Sequence, residues 1–224
     1  MTGMLASVEN LTEALQVLAA GVDIIDLKSP SKGALGALPI ELVKEIVLAV
    51  DGRLPVSATI GDLPMYPKQV GDAVEAMAST GVDYVKIGFF PDGDWQKTII
   101  HLAPLAAEGV RLVAVLFGDL NPRLDQIPAL AISGFSAVML DTMDKRAGSL
   151  TQVCTMDFLQ SFIIEAKAYG MLCGLAGSLR QTDIPALLDL QADYLGFRGA
   201  LCIQQNRTSK IEGKALHDIR AMLA

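Results

Sequence analysis

The feature that most limits what this chain can fold into is a repeated join. A helical pattern ends on a glycine, and a short apolar run follows at once: "AAGVDIIDLK", "STGVDYVKIGFF", "EGVRLVAVLFG", "SGFSAVMLDT" and "YGMLCGLAGS". Glycine just past a helix supplies its left-handed cap, and the β-branched run behind it reads as a buried strand. Following these joins along the chain predicts strands near 3–8, 23–28, 55–60, 83–89, 111–117, 136–141, 171–176 and 193–198. Helical spacing fills the gaps. In "NLTEALQVLAAG", Leu11, Ala14, Leu15 and Leu18 share a face, and Asn10 with Glu13 resembles a capping box. Further helices are predicted over 39–50, 68–79, 95–108, 123–133, 157–169, 181–191 and 214–223, with Pro39 and Pro67 where a first turn tolerates proline.

Eight strand–helix units in 224 residues, with no linker or low-complexity tract, predict one α/β domain over 1–224, a (β/α)8 TIM barrel. A doubly wound sheet would carry a glycine-rich phosphate turn after its first strand. Here "SVENLTE" follows instead.

Composition narrows the function classes. A net charge of −7 argues against a nucleic-acid binder, which needs a basic face, but leaves small phosphorylated ligands open. With a mean hydropathy of +0.41 a membrane span must be considered, yet "QIPALAISGFSAVML" is too short and is broken by Pro128, Ser133 and Gly134. "MTGMLASVEN" has no basic and apolar export signal, and Cys154, Cys173 and Cys202 are odd in number without CxxC spacing. A soluble, cytoplasmic chain with reduced thiols is expected, one that associates with copies of itself as barrels commonly do.

In such a barrel the chemistry sits at the C-terminal ends of the strands. Asp23, Asp83 and Asp193 begin strands and read as structural. Side chains alternate along a strand, so Asp26, Lys28, Lys86 and Asp141 are expected to point into the barrel mouth, with Lys145 folding back over Asp141. A structural ion pair explains any one of them. Three lysines and two aspartates on converging strand ends point to a catalytic cluster in which pairing leaves one cation over. A lysine among lysines in a buried mouth is a candidate Schiff-base nucleophile, and a second one a candidate general base. "GLAGSL" and "GFRGALC" place Gly177, Ser178, Arg198 and Gly199 after strands seven and eight, the usual phosphate site of such barrels. Arg198 is expected to face inward and could instead pair with Asp141 or Asp26. His101 and His217 are too few and scattered for a metal site or triad, so no metal is expected.

In order, "DLKSPSKGALGA", "SATIGD", "YVKIGF", "MLDTMDK", "LAGSL" and "RGALC" resemble the motifs of the (5-formylfuran-3-yl)methyl phosphate synthases, over nearly the whole chain. The resemblance implies a TIM-barrel lyase that condenses two molecules of glyceraldehyde 3-phosphate into a furan aldehyde phosphate, releasing phosphate and water. It implies a place early in the biosynthesis of methanofuran-type one-carbon carriers and no cofactor. It also implies Lys28 as the Schiff-base lysine, Lys86 as proton acceptor, and assisting roles for Asp141 and Lys145. Two loops depart from the pattern. "RAGSL" follows Lys145 where relatives often have an acidic residue and a glycine, and "CIQQNRTSK" is less glycine-rich than expected. Other readings are a class I aldolase-like enzyme on another sugar phosphate and a non-catalytic phosphate-binding barrel. A decarboxylase of the orotidine-monophosphate type would need a further acid where Ser31 stands.

Overall fold

The computed structural model describes residues 2–223. Eight parallel strands, β1 (Gly3–Val8), β2 (Ile24–Leu27), β3 (Val56–Thr59), β4 (Tyr84–Gly88), β5 (Leu112–Phe117), β6 (Ala137–Asp141), β7 (Leu172–Leu175) and β8 (Tyr194–Phe197), close into a barrel in sequence order. Each predicted strand is present to within a residue or two. The closing pair sets Leu5 of β1 against Gly196 of β8.

The helices between them are α1 (Leu11–Ala19), α2 (Ile40–Val50), α3 (Pro67–Ala78), α4 (Trp95–Ala107), α5 (Ile127–Ile132), α6 (Leu150–Val153), α7 (Met156–Ala168), α8 (Ile184–Leu188) and α9 (Gly213–Met222). The spans predicted over 123–133 and 181–191 each split into a 3-10 turn and a short helix, with Pro128 and Pro185 in the first turn of α5 and α8. Proline cannot donate to a preceding turn, so each α-helix starts beside it. Helix α6 lies in a loop where no helix was predicted. The capping pair at α1 is partly as expected: Glu13 N–H donates to Asn10 Oδ1 at 2.9 Å, while the Glu13 carboxylate accepts from Glu9 N–H, not from Asn10.

Strand alternation sorts the core into two bodies. Residues such as Ile25, Leu27, Val85 and Ile87 pack outward against the helices. Leu5, Val113, Val115, Phe117, Met139 and Tyr194 fill the barrel itself. The strand-start aspartates fasten the base. Asp23, Asp83 and Asp193 accept backbone N–H bonds from Met4, Val56 and Cys173 at 2.6, 2.8 and 2.7 Å, each reaching the preceding strand.

Part of the mouth is plugged. The loop after β2 turns through Pro30–Lys32, and Ala34 and Leu35 N–H then donate to the two Asp62 oxygens at 2.8 and 2.7 Å. That clamp drives Leu35, 0% exposed, into the inner core beside Phe90 and Phe117. Gly88 makes the fit possible, because a Cβ there would stand 2.7 Å from Leu35 Cδ1.

Candidate active site

Where the plug ends, an open cavity of about 530 Å³ remains over β6, β7, β8 and β2. Lys28 at the end of β2 and Asp141 at the end of β6 form its inner wall, and the loops after β6, β7 and β8 form the rest. The walls carry Lys28, Lys145, Arg146, Arg180, Arg198 and Arg207 against the single acid Asp141. In a chain of net charge −7 such a concentration of cations marks a place for an anion.

The expected cluster is assembled inside the barrel, in two tiers. Asp26, wholly buried, accepts from Ser7 Oγ at 2.8 Å, Ser57 Oγ at 2.7 Å and Lys86 Nζ at 3.0 Å. Burial alone would raise its pKa, but the Lys86 and Lys28 charges and the Ser57 hydroxyl hold it below the ordinary value. Lys86, 2% exposed, points inward as predicted, yet it does not line the cavity, because Asp26 holds its ammonium one step deeper along β2 than Lys28.

The upper tier is Asp141 with Lys145 and Lys28. Lys145 Nζ donates to Asp141 Oδ1, which also accepts the Thr142 N–H at 2.7 Å. Asp141 Oδ2 is buried with no hydrogen-bond partner and stands 3.9 Å from Lys28 Nζ. Desolvation would lift the Asp141 pKa, but Lys145 and Lys28 outweigh it and bring it to about 2. Lys28 is therefore the cation left over: it is 7% exposed and lacks a carboxylate at hydrogen-bond distance. Burial is the main cause that lowers its pKa to about 8; Asp141 and Asp26 oppose the shift, and Lys145 and Lys86 add to it.

The predicted phosphate residues divide. Gly177, Ser178 and Gly199 all line the cavity. Gly177 has φ +106° and Ser178 φ 49°, and Gly177 could not carry a side chain, because a Cβ would lie 2.8 Å from Thr142. The N–H groups of Gly177, Ser178 and Leu179 donate to no described group, so they remain available to an anion. Arg198 also lines the cavity, but its guanidinium turns to β1 and α1 and pairs with neither Asp141 nor Asp26. It donates to Glu13, to Ser7 O at 3.2 Å and to Ser209 O at 3.1 Å, and lies 3.5 Å from Glu9. Glu13 is itself buried, so the strongest electrostatic partner was one that only barrel closure brings near.

Sequence reasoning passed over Ser7 and Ser57, although both alternate inward beside Asp26 in register. It passed over Arg180 and Arg207 too, which carried no signal beyond their places after strands seven and eight. The three cysteines are free and buried, and desolvation pushes each thiol up to about 11, as suits inert packing. Among the described residues no helix is long and apolar enough to cross a membrane.

Residues 4–220 match the family described as 4-HFC-P synthase. A Methylorubrum extorquens protein provisionally named as a (5-formylfuran-3-yl)methyl phosphate synthase is 39% identical over 222 residues, covering 99% of this chain and 92% of its own. The (5-formylfuran-3-yl)methyl phosphate synthase of Methanococcus maripaludis strain S2 is 34% identical over 218 residues, covering 92% of each chain. Among solved structures, phosphoribosyl anthranilate isomerase from Thermus thermophilus superposes with a TM-score of 0.69 at 14% identity, covering 100% of this chain and 98% of its own. That likeness is one of fold.

Proposed function

The chain belongs to the 4-HFC-P synthase family, and on that premise we propose that it condenses two molecules of glyceraldehyde 3-phosphate into (5-formylfuran-3-yl)methyl phosphate through an imine on Lys28. Atom balance requires one phosphate and two waters to leave, and the conversion is redox-neutral. The product fits an early step toward a methanofuran-type carrier.

The observation that carries this reading is the odd cation. Lys86 and Lys145 are each bonded to a carboxylate, while Lys28 lies over the cavity with its pKa lowered to about 8. A neutral amine there adds to a triose carbonyl, and water leaves to give the imine. Asp141 Oδ2, bonded to nothing else, is the nearest group to exchange protons with Lys28 during that addition. The imine acidifies the neighbouring carbon, and Lys86, after passing its own proton to Asp26 along their hydrogen bond, is assigned the removal of a proton from it. The resulting carbon nucleophile joins the second triose, and ring closure with loss of phosphate and water follows. Lys145 and Asp26 hold the charges of the two tiers, and the amides after β7 and β8, with Gly177, Ser178 and Gly199, receive a phosphate. Arg198 supports that wall through Glu13 and is assigned no direct phosphate contact.

The test is to add glyceraldehyde 3-phosphate, reduce with borohydride and map the mass increase. The expected result is a triose adduct on Lys28, absent in Lys28→Arg because guanidinium forms no imine. Lys86→Ala should keep the adduct and lose the product. An unlabelled Lys28 in the folded protein, or turnover in Lys28→Arg, would overturn the assignment and favour a noncovalent phosphate-binding barrel.

A further inference from the structure

We propose that Arg180 and Arg207 form a second anion seat in the cavity, distinct from the amide seat, that takes the phosphate ester of the second triose. The inference rests on the two-triose reading above and adds how the second substrate is held.

Two dianions in one cavity repel, so each needs its own neutralising groups. The other cations are already engaged. Lys145 is bonded to Asp141, Arg198 to Glu13, and the exposed Arg146 to Asp144. Lys28 must lose its charge to react. Arg111, Arg123 and Arg220 pair with acids elsewhere on the surface. Arg180 and Arg207 line the cavity, and among the described residues neither side chain pairs with a carboxylate. Arg207 makes one guanidinium hydrogen bond, to Gly33 O at 2.9 Å, which holds the loop after β8 against the plug. The rest of its planar fork is free to grip phosphate. Its burial disfavours the charged form and pulls its pKa below the ordinary value, a cost that a bound anion would offset.

The loop that carries Arg207 is held at some expense. Gln204 and Gln205, which also line the cavity, take left-handed backbone at φ 54° and 56°. Strain of this kind is retained where neighbouring structure demands it. A cavity of about 530 Å³ lies within the range of small-molecule sites and exceeds what a single triose phosphate needs.

Glycerol 3-phosphate has no carbonyl, so its binding is read without imine chemistry. Calorimetric titration should give two equivalents per wild-type chain. In Arg180→Gln/Arg207→Gln the second equivalent should weaken by about 10- to 100-fold, as loss of charge-assisted bonds implies, with the first retained. Borohydride trapping should still label Lys28 in that variant while furan formation falls. One equivalent in the wild type, or two unchanged equivalents in the double variant, would overturn the proposal. If Arg207→Gln prevents folding, Arg180→Gln alone decides, because its side chain is exposed: an unaltered second equivalent would overturn it. A wild type that binds two equivalents but forms no adduct would sink the imine reading and leave the second seat standing.

Discussion

On the proposed reading a single amine sets the pH behaviour of this site. With a pKa near 8, about one Lys28 in ten is neutral at pH 7, against about one in a few thousand for a free lysine. The rate of adduct formation should rise about tenfold per pH unit and level off above about 8, the limb expected of a neutral nucleophile. The Asp141 charge raises the Lys28 pKa, so Asp141→Asn should move that limb to lower pH even as product formation is lost. A limb unmoved in the variant would place the titrating group elsewhere. At this scale much of the cluster was legible. Alternation along "DIIDLK" and "SAVMLD" was enough to aim Asp26, Lys28 and Asp141 inward, because two-residue periodicity is a property of the strand alone. Which lysine would be left over was not legible, since it depends on distances between β2, β4 and β6. Arg198 shows the same limit more sharply: its partner Glu13 lies 185 residues away, and only the β8–β1 closure brings the two together.

At the scale of elements, the loops carry the deviations. Gln204 and Gln205 occupy backbone that disfavours side chains, in a segment whose relatives were expected to be richer in glycine. Left-handed backbone costs roughly 1–2 kcal/mol per non-glycine residue, and glycine returns part of that gain as unfolded-chain entropy. Gln204→Gly and Gln205→Gly should each stabilise the fold by about 0.5–1 kcal/mol in urea denaturation at unchanged m-value. Destabilisation by either would mean that the glutamine side chains hold the loop. Strands were read well because most begin just behind a glycine turn and each carries its own apolar run. The plug was not read at all. "GALGA" has no periodicity, and its burial is decided by Asp62, 27 residues from Leu35.

Seen whole, the molecule is a barrel whose base is fastened by three aspartates and whose top is part closed by its own second loop. The repeated join made this architecture readable, since eight such units have few ways to bury their strands other than by closing a ring. The filled side of the mouth has a consequence for traffic. On the proposed reading, substrates that reach Lys28 enter past the rim where Arg180 is exposed, and products leave by the same way. Arrival is thus a queue: the triose bound to Lys28 stands behind its partner and cannot be exchanged until the outer place empties. Because both places take the same triose, the queue is read from its concentration alone: initial rates should rise with the square of low triose concentration, turn inhibitory at high concentration, and fall when inorganic phosphate is added. Saturation at high triose with no such inhibition would mean that the plug lifts during turnover. If the queue holds, the imine at the back is shielded from water by the molecule waiting in front of it, so the second substrate serves as the door as well as the reagent.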